Sequence, residues 1–161
     1  MGFCGKFKLN EFNSKTKPNK GESMRIAISG ASGFVGSFLS EYFGGKGYEI
    51  TKIGVSDFDS NLLSKLEGAD IVINLAGAPI IGRWSEEYKK VLISSRLDTT
   101  SRLVKAMCFA PNKPKVFFCA SAVGYYAEGD NDEYVYKKAD DFLGGLCEQW
   151  ESTASEVAGC G

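Results

Sequence analysis

Apolar and polar positions along this chain fall into blocks whose period switches, and the switches mark the elements. Arg25 to Ser29 is a short run rich in β-branched residues and reads as a buried strand. It breaks at Gly30, and apolar residues then recur at helical spacing: Phe34, Val35, Phe38, Leu39, Tyr42 and Phe43. Gly44-Gly45-Lys46-Gly47 makes the next turn, and Tyr48 to Val55 reads as a second strand. Asn61 to Glu67 is a short helical piece that leaves little room for a normal third strand before the apolar run Ala69 to Gly77. That run reads as a parallel-sheet strand ending in small residues.

Ala78 to Trp84 is a loop holding Arg83 and Trp84. A long helix follows, with Ser85 as N-cap, Glu86 and Glu87 in its first turn, and apolar spacing kept to about Phe109. Pro111 and Pro114 stop it. Lys115 to Ala120 is a further buried strand ending at Ser121, and a polar, Tyr-containing loop runs from Ala122 to about Lys138. The last helix is expected from about Ala139, with Phe142, Leu143, Leu146, Cys147 and Trp150 on its inner face. Gly144-Gly145 inside that helix costs about 1 kcal/mol per glycine relative to alanine, which points to close packing or a kink.

Strands alternating with helices predict an α/β chain, a Rossmann-like doubly wound parallel sheet. Such sheets bind ligands at the carboxyl ends of their strands. Here those ends carry Gly30, Gly54, Ala76 with Gly77, and Ser121. The strand–glycine turn–helix at Gly30 also brings unpaired backbone N–H groups and the positive end of a helix dipole together. A diphosphate binds such a place without a basic side chain. In GxxGxxG spacing, Gly30 permits the tight turn, Gly33 the close approach of phosphates, and Gly36 close contact of helix with strand. A Walker A loop is excluded, because no Gly-Lys-Ser/Thr follows; a methyltransferase-type loop stays open but fits the spacing less well.

Composition narrows the chemistry. The 161 residues suffice for one domain with a sizeable core. With 19 basic and 20 acidic residues, nothing points to nucleic acid. No histidine occurs, which removes imidazole triads, His metal sites and imidazole acid–base chemistry. The five cysteines (Cys4, Cys108, Cys119, Cys147, Cys160) are scattered without a CxxC pair, so reduced thiols in a cytoplasmic protein are expected rather than a disulfide framework or a zinc site. No apolar run is long enough to span a membrane. Residues 1–23 carry five lysines against Glu11 and Glu22 and lack apolar periodicity, so they are expected to be a flexible extension ahead of a dinucleotide-binding domain over 24–161.

Together these residues resemble the short-chain dehydrogenase/reductase superfamily in its extended, epimerase-like branch. Gly30–Gly36 looks like its cofactor loop, Asn74-Leu-Ala-Gly77 like its second cofactor motif, and Ala120-Ser121 like its active-site strand. The phrases NLAGAPI, GRWSEEYKK, SSRLDTT, SAVGYY, DDFL and CEQWE resemble an atypical subgroup, the "epimerase family" proteins with a C-terminal domain of unknown function. The resemblance covers Met24 to about Ala158. It implies NADP or NAD as cofactor, with a slight lean to NADP; Gly54-Val55-Ser56-Asp57 carries neither diagnostic charge squarely, so these residues themselves leave the preference open.

The superfamily's chemistry normally rests on a Tyr-x-x-x-Lys pair with an upstream Ser and an Asn, the Tyr handling the proton while hydride moves to or from the nicotinamide. Ser121 matches the upstream Ser. Leu143 stands in place of the Tyr, Cys147 in place of the Lys, and Arg96 in place of the helix Asn. The catalytic candidates are therefore Ser121, Tyr125 and Arg96. The cofactor-binding candidates are Gly30, Ser32, Gly33, Phe34, Val35, Gly36, Leu75, Ala76, Gly77, Arg96 and Cys147; no metal is implied. By the same resemblance the chain stops before the C-terminal strands and the substrate subdomain. That leaves the substrate unknown, suggests a homodimer through exposed sheet surface, and keeps open a non-catalytic dinucleotide-binding regulator or an inactive fragment.

Overall fold

In the computed structural model, residues 23–132 and 134–160 are described. The expected extension 1–23 lies, except for Ser23, outside them. The first strand, β1 (Arg25–Ser29), is buried over its last four residues because it pairs on both sides. Helix α1 (Phe34–Gly45) returns the chain to β2 (Glu49–Ile53), which is shorter than the Tyr48–Val55 expected because only five residues find register with β1. Two short helices follow, α2 (Asp57–Ser60) and α3 (Leu62–Leu66). They occupy the connection in which no further strand was expected to fit. Next come β3 (Ile71–Asn74), the long α4 (Glu86–Phe109), β4 (Val116–Cys119), a 3₁₀ turn Val123–Tyr125, α5 (Phe142–Ser155) and a 3₁₀ stretch Glu156–Cys160.

The strands form one parallel sheet in the order β2-β1-β3-β4. Alternate residues face opposite sides, and each side has its own core. Ala27 and Val72 pack with Ile53, Leu62, Leu66, Leu103, Val104 and Met107 under α3 and α4. Ile26, Ile28, Ile71, Ile73 and Val116 pack on the other side, where Leu39 and Phe43 of α1 join them. Helices on both faces make the sheet doubly wound. The apolar spacing of α1 is thus only half spent on the core: Phe34 is 94% exposed, and Phe38 and Tyr42 stack on the outer face with ring centroids 6.2 Å apart.

Helix α4 starts as expected. Ser85 Oγ accepts from the Tyr88 backbone N–H at 3.2 Å, and Glu86 and Glu87 sit in the first turn. Helix α5 starts later than Ala139, because Asp141 supplies its cap through a 2.8 Å hydrogen bond from Gly144 N–H to Oδ1. Gly144 reflects close packing: a Cβ there would lie 2.2 Å from the Ala139 carbonyl oxygen. One expectation is overturned outright. Cys108, near the end of α4, and Cys160 are joined by a disulfide with Cα atoms 5.1 Å apart, because the last 3₁₀ stretch folds back onto α4. Cys119 and Cys147 are not disulfide-bonded.

Candidate functional site

The parallel registers bring the strand ends together. Ser29 lies opposite Ile53 on one side and Asn74 on the other, and Asn74 lies opposite Cys119. The four segments that leave these strands therefore emerge along one edge. Gly30 turns the chain with φ +76°, and a Cβ there would come within 2.8 Å of the Leu75 carbonyl carbon. Only glycine allows the first and second motifs to approach so closely. Behind the turn, a Cβ on Gly36 would lie 2.2 Å from the Gly30 oxygen, so α1 starts tight against the turn. Gly33 is the N-cap of α1 and provides no side-chain cap. The first-turn N–H groups are left to an external acceptor, and an anion is the ligand such a helix end favours.

A cleft of about 580 Å³ opens over this edge. Of the expected cofactor residues, Gly30, Ser32, Gly33, Leu75, Ala76 and Gly77 line it. Phe34 and Val35 form the first turn of α1 with side chains directed outward, so only their backbone faces a ligand at the loop. Sequence reasoning missed the far wall, where Ile53, Val55, Phe58 and Asp59 meet Ser95, Asp98, Thr99 and Arg102 of α4. The signal was present in the spacing of Ser95, Asp98, Thr99 and Arg102, three to four residues apart and so on one helix face. Arg102 donates to Asp59 Oδ1 at 3.0 Å and lies over the Phe58 ring, 5.7 Å from its centroid. Asp57 turns back instead, accepting from Gly54 N–H at 2.7 Å.

Arg96 is 7% exposed and sits beneath the second motif. It donates to the Ala78 carbonyl at 3.0 Å and to the Leu92 carbonyl at 3.2 Å, and its guanidinium lies over the Trp150 ring, 5.4 Å from the centroid. A Cβ on Gly77 would stand 3.1 Å from its Cζ, so Gly77 leaves room for this cation. Burial lowers its pKa, and Cys147 and Tyr88 pull the other way. Cys147 is buried on α5 with its thiol toward the Ala122 carbonyl at 3.9 Å. Burial, then Glu151, pushes that thiol up, which keeps it protonated.

Ser121 stands just past β4, and its hydroxyl donates to the Glu151 carboxylate of α5. Tyr125 packs edge-on against Tyr126 and tilted against Tyr136. Burial pushes its phenol above the usual range, helped by Tyr136, Glu151 and Glu148. The position of the usual Tyr is filled by Leu143, whose side chain packs against Gly124. The site thus has two parts: a glycine-walled cleft over the sheet edge, and a polar corner of Ser121, Tyr125 and Glu151 beside it.

A doubly wound sheet with a glycine turn at its first strand end, and small residues at its third, defines a dinucleotide-binding fold of the Rossmann type. The family model of the NAD dependent epimerase/dehydratase family matches residues 26–141, and the chain belongs to that family. Relatives include human epimerase family protein SDR39U1, 34% identical over an alignment of 143 residues, with 81% of this chain and 49% of the relative covered. The Arabidopsis thaliana homologue, described as chloroplastic, is 30% identical over 157 residues, covering 84% and 45%. The crystal structure of the human protein (isoform 2) with NADPH superposes with a TM-score of 0.72 at 33% identity, covering 81% of this chain and 48% of that one. MoeE5 in complex with UDP-glucose and NAD, at 23% identity and TM-score 0.71 over 83% and 49%, shares the fold. The chain spans about half the length of these relatives. Among the described residues, no helix is long and apolar enough to cross a membrane.

Proposed function

We propose that this chain is the dinucleotide-binding half of an NAD(P)-dependent oxidoreductase or epimerase with an atypical proton-handling site. The observation that carries this reading is the fit of Gly30 against Leu75, with the uncapped start of α1 beside it. That fit brings two backbone walls to one anion-binding point at the mouth of a cleft large enough for a nucleotide. The diphosphate would be held by the backbone of Gly30, Ser32, Gly33, Phe34, Val35 and Gly36. Leu75, Ala76 and Gly77 would leave space for the chain of the ligand across the sheet. When bound, the cofactor supplies the hydride acceptor or donor.

The residues of this chain do the remaining work. Ser121 orients a substrate hydroxyl or carbonyl. Arg96 keeps positive charge under Gly77, and Cys147 beside it fills space. Tyr125 serves as a neutral phenol, since its raised pKa suits a hydrogen-bond donor rather than a base. NADP is preferred over NAD in this reading: the human relative was crystallised with NADPH, and Arg102 offers a cation on the far wall. A cytoplasmic setting suits Cys119 and Cys147, which are not disulfide-bonded, whereas the Cys108–Cys160 disulfide counts against it. Recovery of the Cys108–Cys160 bond oxidised from intact cells would contradict that setting.

A second reading has its own support. With Leu143 and Cys147 where Tyr and Lys stand in the superfamily, the chain suits a non-catalytic dinucleotide sensor. Equilibrium titration with NADPH and with NADH, followed by nucleotide fluorescence, tests the shared claim. Saturable binding supports both readings, and NADPH is expected to bind more tightly. Absence of binding by either nucleotide rejects both. Where turnover is found, Ser121→Ala abolishes it in the enzyme reading; turnover that survives the change intact defeats the proposed mechanism.

A further inference from the structure

The polar corner lacks the proton carrier of the superfamily, and its remaining groups narrow what can replace it. Leu143 and the buried Cys147 thiol occupy the usual positions, and there is no histidine in the sequence. Burial and neighbouring acidic groups hold both the Cys147 thiol and the Tyr125 phenol in their protonated forms. Ser121 is itself a neutral hydroxyl that needs an acceptor for its proton. The structure supplies that acceptor: the Glu151 carboxylate, one turn of α5 past Cys147, takes the Ser121 hydroxyl hydrogen.

The carboxylate is firmly aimed. Its neighbour Trp150 is buried and donates through Nε1 to Thr100 Oγ1 at 2.8 Å, which fixes α5 against α4 at this turn. Among the described residues, the charged and titratable groups around Glu151 include Tyr125 from the loop after β4, Cys147 and Glu148 on its own helix, Arg96 of α4 against Cys147, and Lys138, which pairs with Glu148. The acidic neighbour Glu148 is thereby partly neutralised by a partner of its own.

We propose that Glu151 is the positioning residue of this site, holding the Ser121 hydrogen so that Ser121 Oγ offers its lone pairs to a substrate hydroxyl. The proposal rests on the oxidoreductase reading above. In the direction of alcohol oxidation, the substrate C–H bond breaks and its hydride, with both electrons, goes to an oxidised nicotinamide dinucleotide. The substrate hydroxyl proton passes to Ser121 Oγ as the Ser121 proton passes to the Glu151 carboxylate. The products are a carbonyl compound, the reduced dinucleotide and a protonated Glu151, which returns its proton to solvent. The reverse sequence reduces a carbonyl.

The test is carboxyl-¹³C NMR, at one fixed pH, of the whole chain labelled in its glutamate and aspartate carboxyls, with the Glu151 resonance assigned by its loss in Glu151→Gln. Ser121→Ala removes the hydroxyl donor from the carboxylate, so the Glu151 resonance is expected to move by more than the scatter among the other carboxyls. Glu151→Asp retains the coupling to Ser121, and Glu151→Gln leaves NADPH affinity within about three-fold, roughly the change expected of a residue that does not carry ground-state binding. An unmoved Glu151 resonance in Ser121→Ala overturns the proposal while leaving dinucleotide binding standing. Failure of the unaltered chain to bind NADPH overturns the underlying reading instead, and the proposal falls with it. If Glu151→Gln does not fold, Glu151→Asp serves for the assignment through its displaced resonance.

Discussion

Trp150 Nε1 donates to Thr100 Oγ1 at 2.8 Å across fifty residues of sequence, and the same oxygen accepts from Asn74 Nδ2 at 2.9 Å. All three side chains are buried. One threonine thus ties the end of β3, the middle of α4 and the inner face of α5 together. Asn74 Oδ1 extends the tie by accepting from the Ala76 N–H at 3.3 Å, so the second motif is held by the same node.

Thr100→Val keeps the shape but removes the acceptor. The buried indole N–H loses its partner, and the chain is expected to lose about 1–3 kcal/mol of stability, the cost of leaving a buried donor unsatisfied. Denaturant unfolding at constant m-value measures it. A variant as stable as the parent would mean the node does not hold the helices.

Gly36→Ala and Gly45→Ala separate packing from propensity within α1. At Gly36 the added carbon would meet the Gly30 oxygen at 2.2 Å; at Gly45 nothing lies within 4 Å. Gly36→Ala is expected to cost about 1–3 kcal/mol through overpacking and to weaken NADPH binding by at least about ten-fold, since 1.4 kcal/mol at the loop suffices for that. Gly45→Ala should stabilise by about 0.5–1 kcal/mol and leave binding alone. Equal effects at both positions would contradict the packing argument.

Arg96 tests whether charge or architecture matters under Gly77. Arg96→Leu leaves the Ala78 and Leu92 carbonyls without their guanidinium donor and is expected to cost about 1–3 kcal/mol, whereas Arg96→Lys keeps the charge but not the two-carbonyl geometry. If the cation serves the ligand, NADPH affinity falls in the Leu variant and is largely kept in the Lys variant. Equal losses in both would assign Arg96 to loop architecture alone.

Asp70 gives the acid limb of stability. Burial on its own would raise its pKa. The Lys115 hydrogen bond, the Arg25 backbone N–H and the charges of both residues outweigh burial and hold it below the ordinary aspartate value near 3.8. A carboxylate depressed in the folded state contributes stability that is complete above the unfolded pKa and is lost as pH falls through the folded one. Melting temperature should therefore fall more steeply below about pH 4 in the parent than in Asp70→Asn. Parallel curves would remove Asp70 from the acid transition.

The sequence made β1, the glycine turn, the Ser85 cap and the strand ends legible because each depends on neighbours a few residues away. Asp141 as the start of α5 was readable by the same rule, yet the apolar spacing drew the boundary three residues early. What depends on distant contacts stayed hidden. The outward face of Phe34, Phe38 and Tyr42 cannot be told from a core face by periodicity, because both repeat at 3.6 residues. The Cys108–Cys160 pairing depends on a chain reversal with no local signature. Arg102, Phe58 and Asp59 meet only because the short helix α2 lies against α4, far away in sequence. Glu151 was visible in the phrase CEQWE but gained significance only when α5 was seen to bring it to Ser121.

Amide mapping by ¹⁵N NMR during addition of NADPH tests the central claim most directly. The account predicts that the resonances of Gly30, Ser32, Gly33, Phe34, Val35, Ala76 and Gly77 shift together and saturate at one stoichiometric equivalent, with Arg102 and Thr99 following on the far wall. Shifts confined to other surfaces, or no shifts at saturating nucleotide, would contradict the assignment of this sheet edge as the dinucleotide site.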